Sequence, residues 1–540
     1  MKLAKTARHG GKSMKNDFWP TKTTIIPALL TAFFAAIVLN SAWICDDAYI
    51  SLRTVDNFVN GHGLRWNVAE RVQTFTNPLW TLMLSAVYFF TREAYYSTII
   101  LALLVAVAGA GVLFFKTGRK NIVAAVLGAL FLFSSKAFVD FSTSGLENPL
   151  LHLFIILFFL QFLTGQNDNR KLFRLSLITA LAVTTRMDAI LLFAPALLWQ
   201  VFSNPGKSSR QRRMVSMLAG FIPFILWETF ALIYYGFLFP NTAYAKLNSG
   251  IATNELIVQG LHYFLDSLAR DPLTLLAILI CGIAVFMRRE KRALAAFSGV
   301  LLYLFYVLSI GGDFMSGRFL AAPFCAAVVI LVMQISSALT LKKAPPTFVT
   351  ILLIGLLNPV SPLRAGRDFQ NRTISEKGIA DERGWYYQGT GLLVSDEIKK
   401  RPINNQYLFE NRGKKYREEW REQPVRVVGN AGFIGFFSGP KVYLIDHLGL
   451  GDPFLSRLKP DLNSGWRFGL PSKTGWRIGH YFRHLPEGYV QTKAFGRNMI
   501  VDRELADDYE RLTLITCGDV FRWRRFVEIL KLNIDLVFGD

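Results

Sequence analysis

Apolar residues along this 540-residue chain are bunched into long runs rather than spaced at strand or surface-helix intervals. The first run covers 24–45, about 20 residues, and is long enough to span a bilayer. It exceeds the apolar core of a secretion signal and no A-x-A site closes it, so it reads as a signal-anchor that stays in the protein. Further runs fall near 95–115, 121–140, 146–163, 173–187, 189–203, 214–238, 272–287, 293–310, 319–337 and 346–360. A shorter run, 78–90, would rise only ~20 Å as a helix, less than the ~30 Å hydrocarbon core, and reads as re-entrant or interfacial. After about residue 361 the pattern changes to short Gly- and Pro-punctuated segments, with strands expected at 425–429 and 442–445. No internal repeat and no low-complexity tract interrupts this order. The pattern predicts a polytopic α-helical membrane protein with about eleven transmembrane helices and a C-terminal extracytoplasmic α/β domain. Its expected parts are a basic tail 1–23, a membrane region 24–360 with a first outer loop 46–94, and a soluble domain 361–540.

Composition agrees. The chain is 52% hydrophobic and 18% charged, with a mean hydropathy of +0.30, where a soluble chain carries roughly 25% charged residues. A soluble enzyme, a disordered chain and a disulfide scaffold are thereby excluded. Cys45, Cys281, Cys325 and Cys517 have no metal-ligand spacing and support no disulfide framework. Net charge is +21. No aromatic-interleaved basic patch accompanies it, so nucleic acid is not an expected partner. Short basic loops instead mark a cytoplasmic side, and they sit in the N-terminal tail and at 116–120, 170–174, 207–213, 288–292 and 342–343. One topology places all six inside: eleven crossings, the N-terminus in the cytoplasm and residues 361–540 outside. It requires 173–203 to cross twice, bending at Thr185-Arg186-Met187-Asp188, where an ion pair is tolerated in a water-filled cavity.

That topology puts the remaining charged and Gly/Pro-rich loops on the outer face. The first opens Cys45-Asp46-Asp47-Ala48-Tyr49-Ile50-Ser51-Leu52-Arg53. Two adjacent carboxylates at the end of a spanning helix need a cation, a metal or a polar cavity. Either Asp46 or Asp47 would serve as a general base towards a hydroxyl, or as a metal ligand, so a divalent metal stays open. The loop continues through Gly61-His62-Gly63 to Asn67-Val68-Ala69-Glu70-Arg71 and Phe75-Thr76-Asn77-Pro78-Leu79-Trp80. Further outer strings are Ser144-Gly145-Leu146-Glu147, Arg186-Met187-Asp188, Pro240-Asn241-Thr242-Ala243-Tyr244-Ala245-Lys246 and Gly311-Gly312-Asp313-Phe314-Met315-Ser316-Gly317-Arg318-Phe319. Five residues apart, Asp313 and Arg318 can pair across a turn, and Asp188 can orient Arg186. In the last domain, Asp446-His447-Leu448-Gly449-Leu450-Gly451-Asp452-Pro453 is the comparable string, and Trp466, Trp476, His480 and Tyr481 would stack on sugars or fill a small core.

Taken in order, these strings resemble the GT-C glycosyltransferases that use polyprenyl-phosphate sugars, in particular the bacterial terminal arabinofuranosyltransferases. DDAYISLR and GGDFMSGRF are the most specific matches, and the likeness covers most of the chain. Val68-Ala69 departs from the proline-glycine pair usual there. The resemblance implies transfer of a sugar, most plainly D-arabinofuranose, from a polyprenyl-phosphate donor to an envelope polysaccharide or glycoprotein acceptor. The expected place is the outer face of the bacterial inner membrane, with the lipid bilayer as a further partner.

Asp46 and Asp47 would be catalytic. Arg186, Lys246 and Arg318 would face donor phosphate, helped by Asn241, Tyr244, His62, Glu147, Asp188 and Asp313. Asp446, His447 and Trp476 would lie on the acceptor side. A polyprenyl-sugar flippase would show inverted repeats, which are not found. A non-catalytic envelope-assembly protein is the other rival, and it would tolerate Asp46→Asn and Asp47→Asn.

Overall fold

The computed structural model describes residues 21–203, 209–247, 249–335, 344–358, 360–364, 374–402, 404–462 and 476–538. Most of the basic tail, Lys342, Lys343 and Trp466 fall outside them. Four helices are long and apolar enough to cross a membrane: Lys22–Asn40, Tyr95–Gly118, Lys291–Ser309 and Arg318–Ile335. Two bent pairs raise the number to six among the described residues, and five shorter apolar helices accompany them. The chain is a multi-pass membrane protein.

Each long helix forms for an evident reason. Lys22–Asn40 buries only Pro27, Phe34, Ile37 and Val38, so most of its apolar surface faces outward, as a lipid-facing helix does. Arg318–Ile335 is the opposite case, buried over almost its whole length. Its alanines at 321, 322, 326 and 327 let neighbouring helices approach closely on several sides. Because that helix starts at Arg318, the central element of the bundle carries a guanidinium on its first turn.

Breaks in the helices matter more than the helices themselves. Asn169–Thr185 ends where Arg186 turns extended (φ −161°, ψ 114°), and Ile190–Phe202 resumes after one short turn. The bend expected at Arg186 is therefore present. Three others were not expected. The run 121–140 divides at Ser135 into Ile122–Ser134 and Lys136–Asp140. Within 214–238, Arg210–Gly220 and Ile222–Tyr234 meet at 54°. Thr253–Arg270 meets Pro272–Arg288 at 105°, because Pro272 cannot donate to the preceding turn.

The C-terminal residues are mainly helical. Val425–Val428 and Tyr443–Asp446 pair in parallel, with Val425 opposite Tyr443 and Val428 opposite Asp446, and the helix Phe433–Ser438 crosses between them. Both expected strands are there, but among the described residues they make a two-stranded sheet beside seven α-helices and one short 3-10 turn, a thinner β component than the expected α/β domain.

Residues of 46–77 fasten this region to the bundle. Arg53 Nε donates to the Trp66 carbonyl at 2.7 Å and Nη2 to that of Val442 at 2.9 Å, while Nη1 reaches Gly435. Asn67 exchanges two hydrogen bonds with the Leu444 backbone, at 2.9 and 3.1 Å. Arg71 donates to the carbonyls of Ile515 and Gly518, and Glu70 pairs with Lys493 at 3.2 Å. A buried guanidinium has five donors to satisfy, and backbone carbonyls of a second segment supply the acceptors.

Candidate active site

Two glycine-dependent turns bring the site together. In Ser144-Gly145-Leu146-Glu147, Gly145 takes φ +85°, and a Cβ there would stand 2.6 Å from that of Ala48. The turn therefore packs directly on the start of the helix Asp46–Val59; Ser144 accepts from the Cys45 N–H at 3.0 Å and Gly145 from Trp80 Nε1 at 2.9 Å. In Gly311-Gly312-Asp313, Gly312 takes φ +74° and lies against the Tyr263 ring, where a Cβ would come within 2.4 Å. Only glycine permits these close turns.

The turns converge on Glu147, which is buried. Its Oε1 lies 3.3 Å from Arg186 Nη1 and 3.3 Å from Arg318 Nη2, and its Oε2 accepts from Asn77 Nδ2 at 2.9 Å. Arg186 also grips Asp188 with two donors, at 2.7 and 2.9 Å, and Tyr303 donates to the same carboxylate at 3.1 Å. Arg318 Nη1 stands 3.6 Å from Asp313 Oδ2. Phe319 lies under the Arg186 guanidinium, 4.2 Å from centroid to Cζ. Both ion pairs expected from the sequence are formed, and Glu147 joins them into one cluster.

The adjacent carboxylates have different surroundings. Asp46 is buried and accepts backbone N–H groups of Phe433 at 2.7 Å and Gly432 at 3.2 Å. Burial pushes its carboxyl up to about 7, with the Asp47 charge adding and those hydrogen bonds opposing. Asp47 is half-buried and makes no hydrogen bond or ion pair among the described residues. Burial raises its pKa too, while Lys246 and Arg318 pull it down and Asp313 and Glu147 push it up.

Lys246 is also without a hydrogen bond or ion pair among the described residues. Its ammonium lies 5.8 Å from the Phe314 ring, whose edge-to-face neighbour is His480 at 4.3 Å. Arg477 covers the same ring at 5.2 Å and donates from Nε to the Gly378 carbonyl at 2.6 Å.

Glu382 completes the set, and no sequence signal singled it out. It lies two residues after Ala380, which is hydrogen-bonded to Phe314 and Ser316 at 2.7 and 2.9 Å. Burial pushes its carboxyl up to about 8; Arg477 opposes, and Asp47, Asp46 and Asp313 add.

Not every predicted residue joins this cluster. Asn241 spends its amide on the carbonyls of Gly449, Leu450 and Asp452, at 2.8–3.1 Å, and accepts from Ser456 and Arg457. Tyr244 meets Phe237 edge-to-face, with Arg457 over both rings. His62 is exposed just beyond the far end of Asp46–Val59, about 20 Å along that helix from Asp46. Asp446 accepts three backbone N–H groups of its own loop. His447 stacks on Phe482 at 4.7 Å, and Trp476 lies 6.4 Å from Tyr481. Among the described residues no three His, Cys, Asp or Glu side chains are grouped so as to hold a metal ion.

A second buried charge cluster adjoins the site. Lys136 pairs with Asp140 and, at 3.0 Å, with Asp381; Arg383 pairs with Asp140 at 2.7 Å. Arg270 reaches Asp266 at 2.9 Å and Asp381 at 3.9 Å, and Ser316 donates to Asp266 at 2.6 Å. Charges inside the apolar run 121–140 were its one visible signal.

A multi-pass membrane protein with a buried arginine–carboxylate cluster is the class this geometry defines. Two curated relatives share its sequence. A terminal β-(1→2)-arabinofuranosyltransferase of Mycobacterium tuberculosis is 28% identical, over 65% of this chain and 63% of the relative. One of Corynebacterium glutamicum is 28% identical, over 57% of this chain and 50% of the relative. The resemblance read from the motif strings is shown by these two proteins, and the matches span less than two thirds of either. Solved structures of ArnT from Cupriavidus metallidurans align with TM-scores of 0.43 without ligand (14% identity, 92% of this chain and 91% of that one) and 0.42 with undecaprenyl phosphate bound (12% identity, 80% and 76%). No protein-family model matches the chain.

Proposed function

We propose that the chain is a membrane glycosyltransferase of GT-C type. It moves D-arabinofuranose from a polyprenyl phosphate to an envelope glycan or glycoprotein acceptor on the outer face of the bacterial inner membrane. The observation that carries this reading is a half-buried carboxylate, Asp47, and an ammonium, Lys246, neither with a hydrogen bond or ion pair among the described residues, the carboxylate feeling the charges of Lys246, Arg318 and Glu147. In this reading Pro78–Thr91 stays re-entrant or interfacial, while the other four shorter apolar helices and Asn169–Thr185 cross as well, giving eleven crossings with residues 361–540 outside.

The reaction breaks the bond from the sugar's C1 to phosphate oxygen and forms one from C1 to the acceptor oxygen. The phosphate leaves with the electron pair, and Lys246 and Arg318 neutralise the charge that develops on it. Asp47, the carboxylate with free oxygens, takes the acceptor hydroxyl's proton. Asp46, whose oxygens are engaged by Gly432 and Phe433, fixes the direction in which Asp47 points. Glu382, pushed up to about 8, keeps its proton at neutral pH and donates a hydrogen bond to sugar or phosphate oxygen.

The test is transfer of radiolabel from synthetic polyprenyl-phosphoryl arabinofuranose to extracted envelope acceptors by the purified protein. Transfer that Asp47→Asn abolishes is the expected result. Transfer only from a hexose donor would overturn the arabinose assignment, and no transfer from any lipid-linked donor would overturn the enzyme reading.

A further inference from the structure

The helix that delivers Arg186 to the site begins, seventeen residues earlier, at Asn169, about 25 Å away along its axis. At that end it crosses the helix Arg210–Gly220 with almost no separation. A Cβ on Gly220 would lie 2.5 Å from Ser176 Cβ and 2.8 Å from the Phe173 carbonyl oxygen. On the N-terminal side of this contact the two helices leave a cleft of about 590 Å³, lined among others by Arg170, Phe173, Arg174, Val215, Ser216 and Ala219.

The lining is amphipathic. Phe173 is 40% exposed and Val215 65% exposed, with Leu218 beside them at 53%. Arg170 and Arg174 are exposed, one helical turn apart on one face, and make no hydrogen bond or ion pair among the described residues. Like charges at that spacing repel, and an anion between them reverses the sign. Asp168, the acid on the rim, already caps the helix by accepting the Lys171 N–H at 2.6 Å.

We propose that this cleft binds the phosphodiester head group of an anionic phospholipid, with Arg170 and Arg174 on the phosphate and the acyl chains over Phe173 and Val215. Two guanidinium forks suit phosphate oxygens, and the apolar floor suits lipid tails rather than a soluble anion. The site lies at the opposite end of the helix Asn169–Thr185 from Arg186 and does not depend on the sugar-transfer reading.

Native mass spectrometry of the full-length protein in detergent tests it. Dioleoylphosphatidylglycerol is expected to stay bound at collision energies that strip dioleoylphosphatidylcholine. Replacing both arginines with alanine is expected to lower that retention at least tenfold. Ser216→Trp, which fills the cleft without changing charge, is expected to lower it as well and serves should the double variant not fold. Equal retention of the two lipids, unchanged retention in either variant, or displacement of the lipid by inorganic phosphate at equal concentration would overturn the proposal.

Discussion

One loop, residues 311–319, feeds two buried groups of charges that differ in how completely they are paired. Ser316 hands its hydroxyl to Asp266, in the group that holds Lys136, Asp140, Asp381, Arg383 and Arg270. In that group each charged side chain has an opposite charge within reach. Asp313 and Arg318 join the other group, where Glu147, Arg186 and Asp188 are paired but Asp47 and Lys246 are not. Burying charges is costly, and a closed set offsets that cost by itself. An open set leaves the cost standing until something else arrives. The closed group joins Lys136, beside the break at Ser135, to Arg270, beside the break at Asp271, through Asp381; in the proposed reading the open group meets substrate.

Breaking the open group is expected to cost activity and spare the fold. Asp47→Asn should lower transfer by about 10²–10⁴-fold, the usual range for removing a general base, with an unchanged thermal unfolding midpoint. A variant that unfolds early while its folded fraction keeps full activity would put Asp47 in the structural group. The closed group should give the converse. Asp140→Asn leaves Lys136 and Arg383 short of a counter-charge, an expected loss of about 3–5 kcal/mol, read by thermal unfolding in detergent. A variant as stable as the wild type but inactive would erase the distinction.

Lys246→Met sharpens it further. Removing a charged contact to a phosphate costs about 1.5–3 kcal/mol, so kcat/KM for a lipid-phosphate donor should fall by about 10- to 100-fold, with stability intact. Asp46 gives the comparison a pH dependence. Its carboxyl ionises near 3.8 when unperturbed and near 7 in the folded protein. Between those values the folded state holds the extra proton, so stability falls as pH rises from about 4 to about 7 and is flat above. Asp46→Asn keeps an acceptor for the Phe433 N–H and should remove that slope. A slope that persists in unfolding midpoints across this range would show that Asp46 does not cause it.

What the sequence revealed follows from where each signal sits. Arg186 and Asp188 share one tripeptide inside an apolar run, so the bend and the ion pair could both be read locally. The Glu147 turn and the Asp313–Arg318 pair were legible for the same reason. Lys136 and Asp140 lie four apart, but the partners that close their group, Asp381 and Arg383, are 245 and 243 positions away and carry no local signal. Glu382 carries no motif; its place depends on Ala380 pairing with a loop far upstream. Asn241 and Asp446 were found by their strings, yet in the structure their side chains hold one loop, 446–456, against the bundle. A motif marks residues that cannot change freely, and that includes hinges and clamps as well as groups that meet substrate.

The fastening of 46–77 to the C-terminal residues also sets a schedule for synthesis. Arg53 is made among the first tenth of the chain, but its acceptor Gly435 comes 382 residues later, and Arg71 waits 447 residues for Gly518. At about 5–20 residues per second, that interval is on the order of 20–90 s. Throughout it, two guanidiniums destined for burial stay in water. The segment 46–77 therefore reaches its final structure near the end of translation. A truncation that stops short of residue 435 should leave it unanchored even though every residue of that segment has been made.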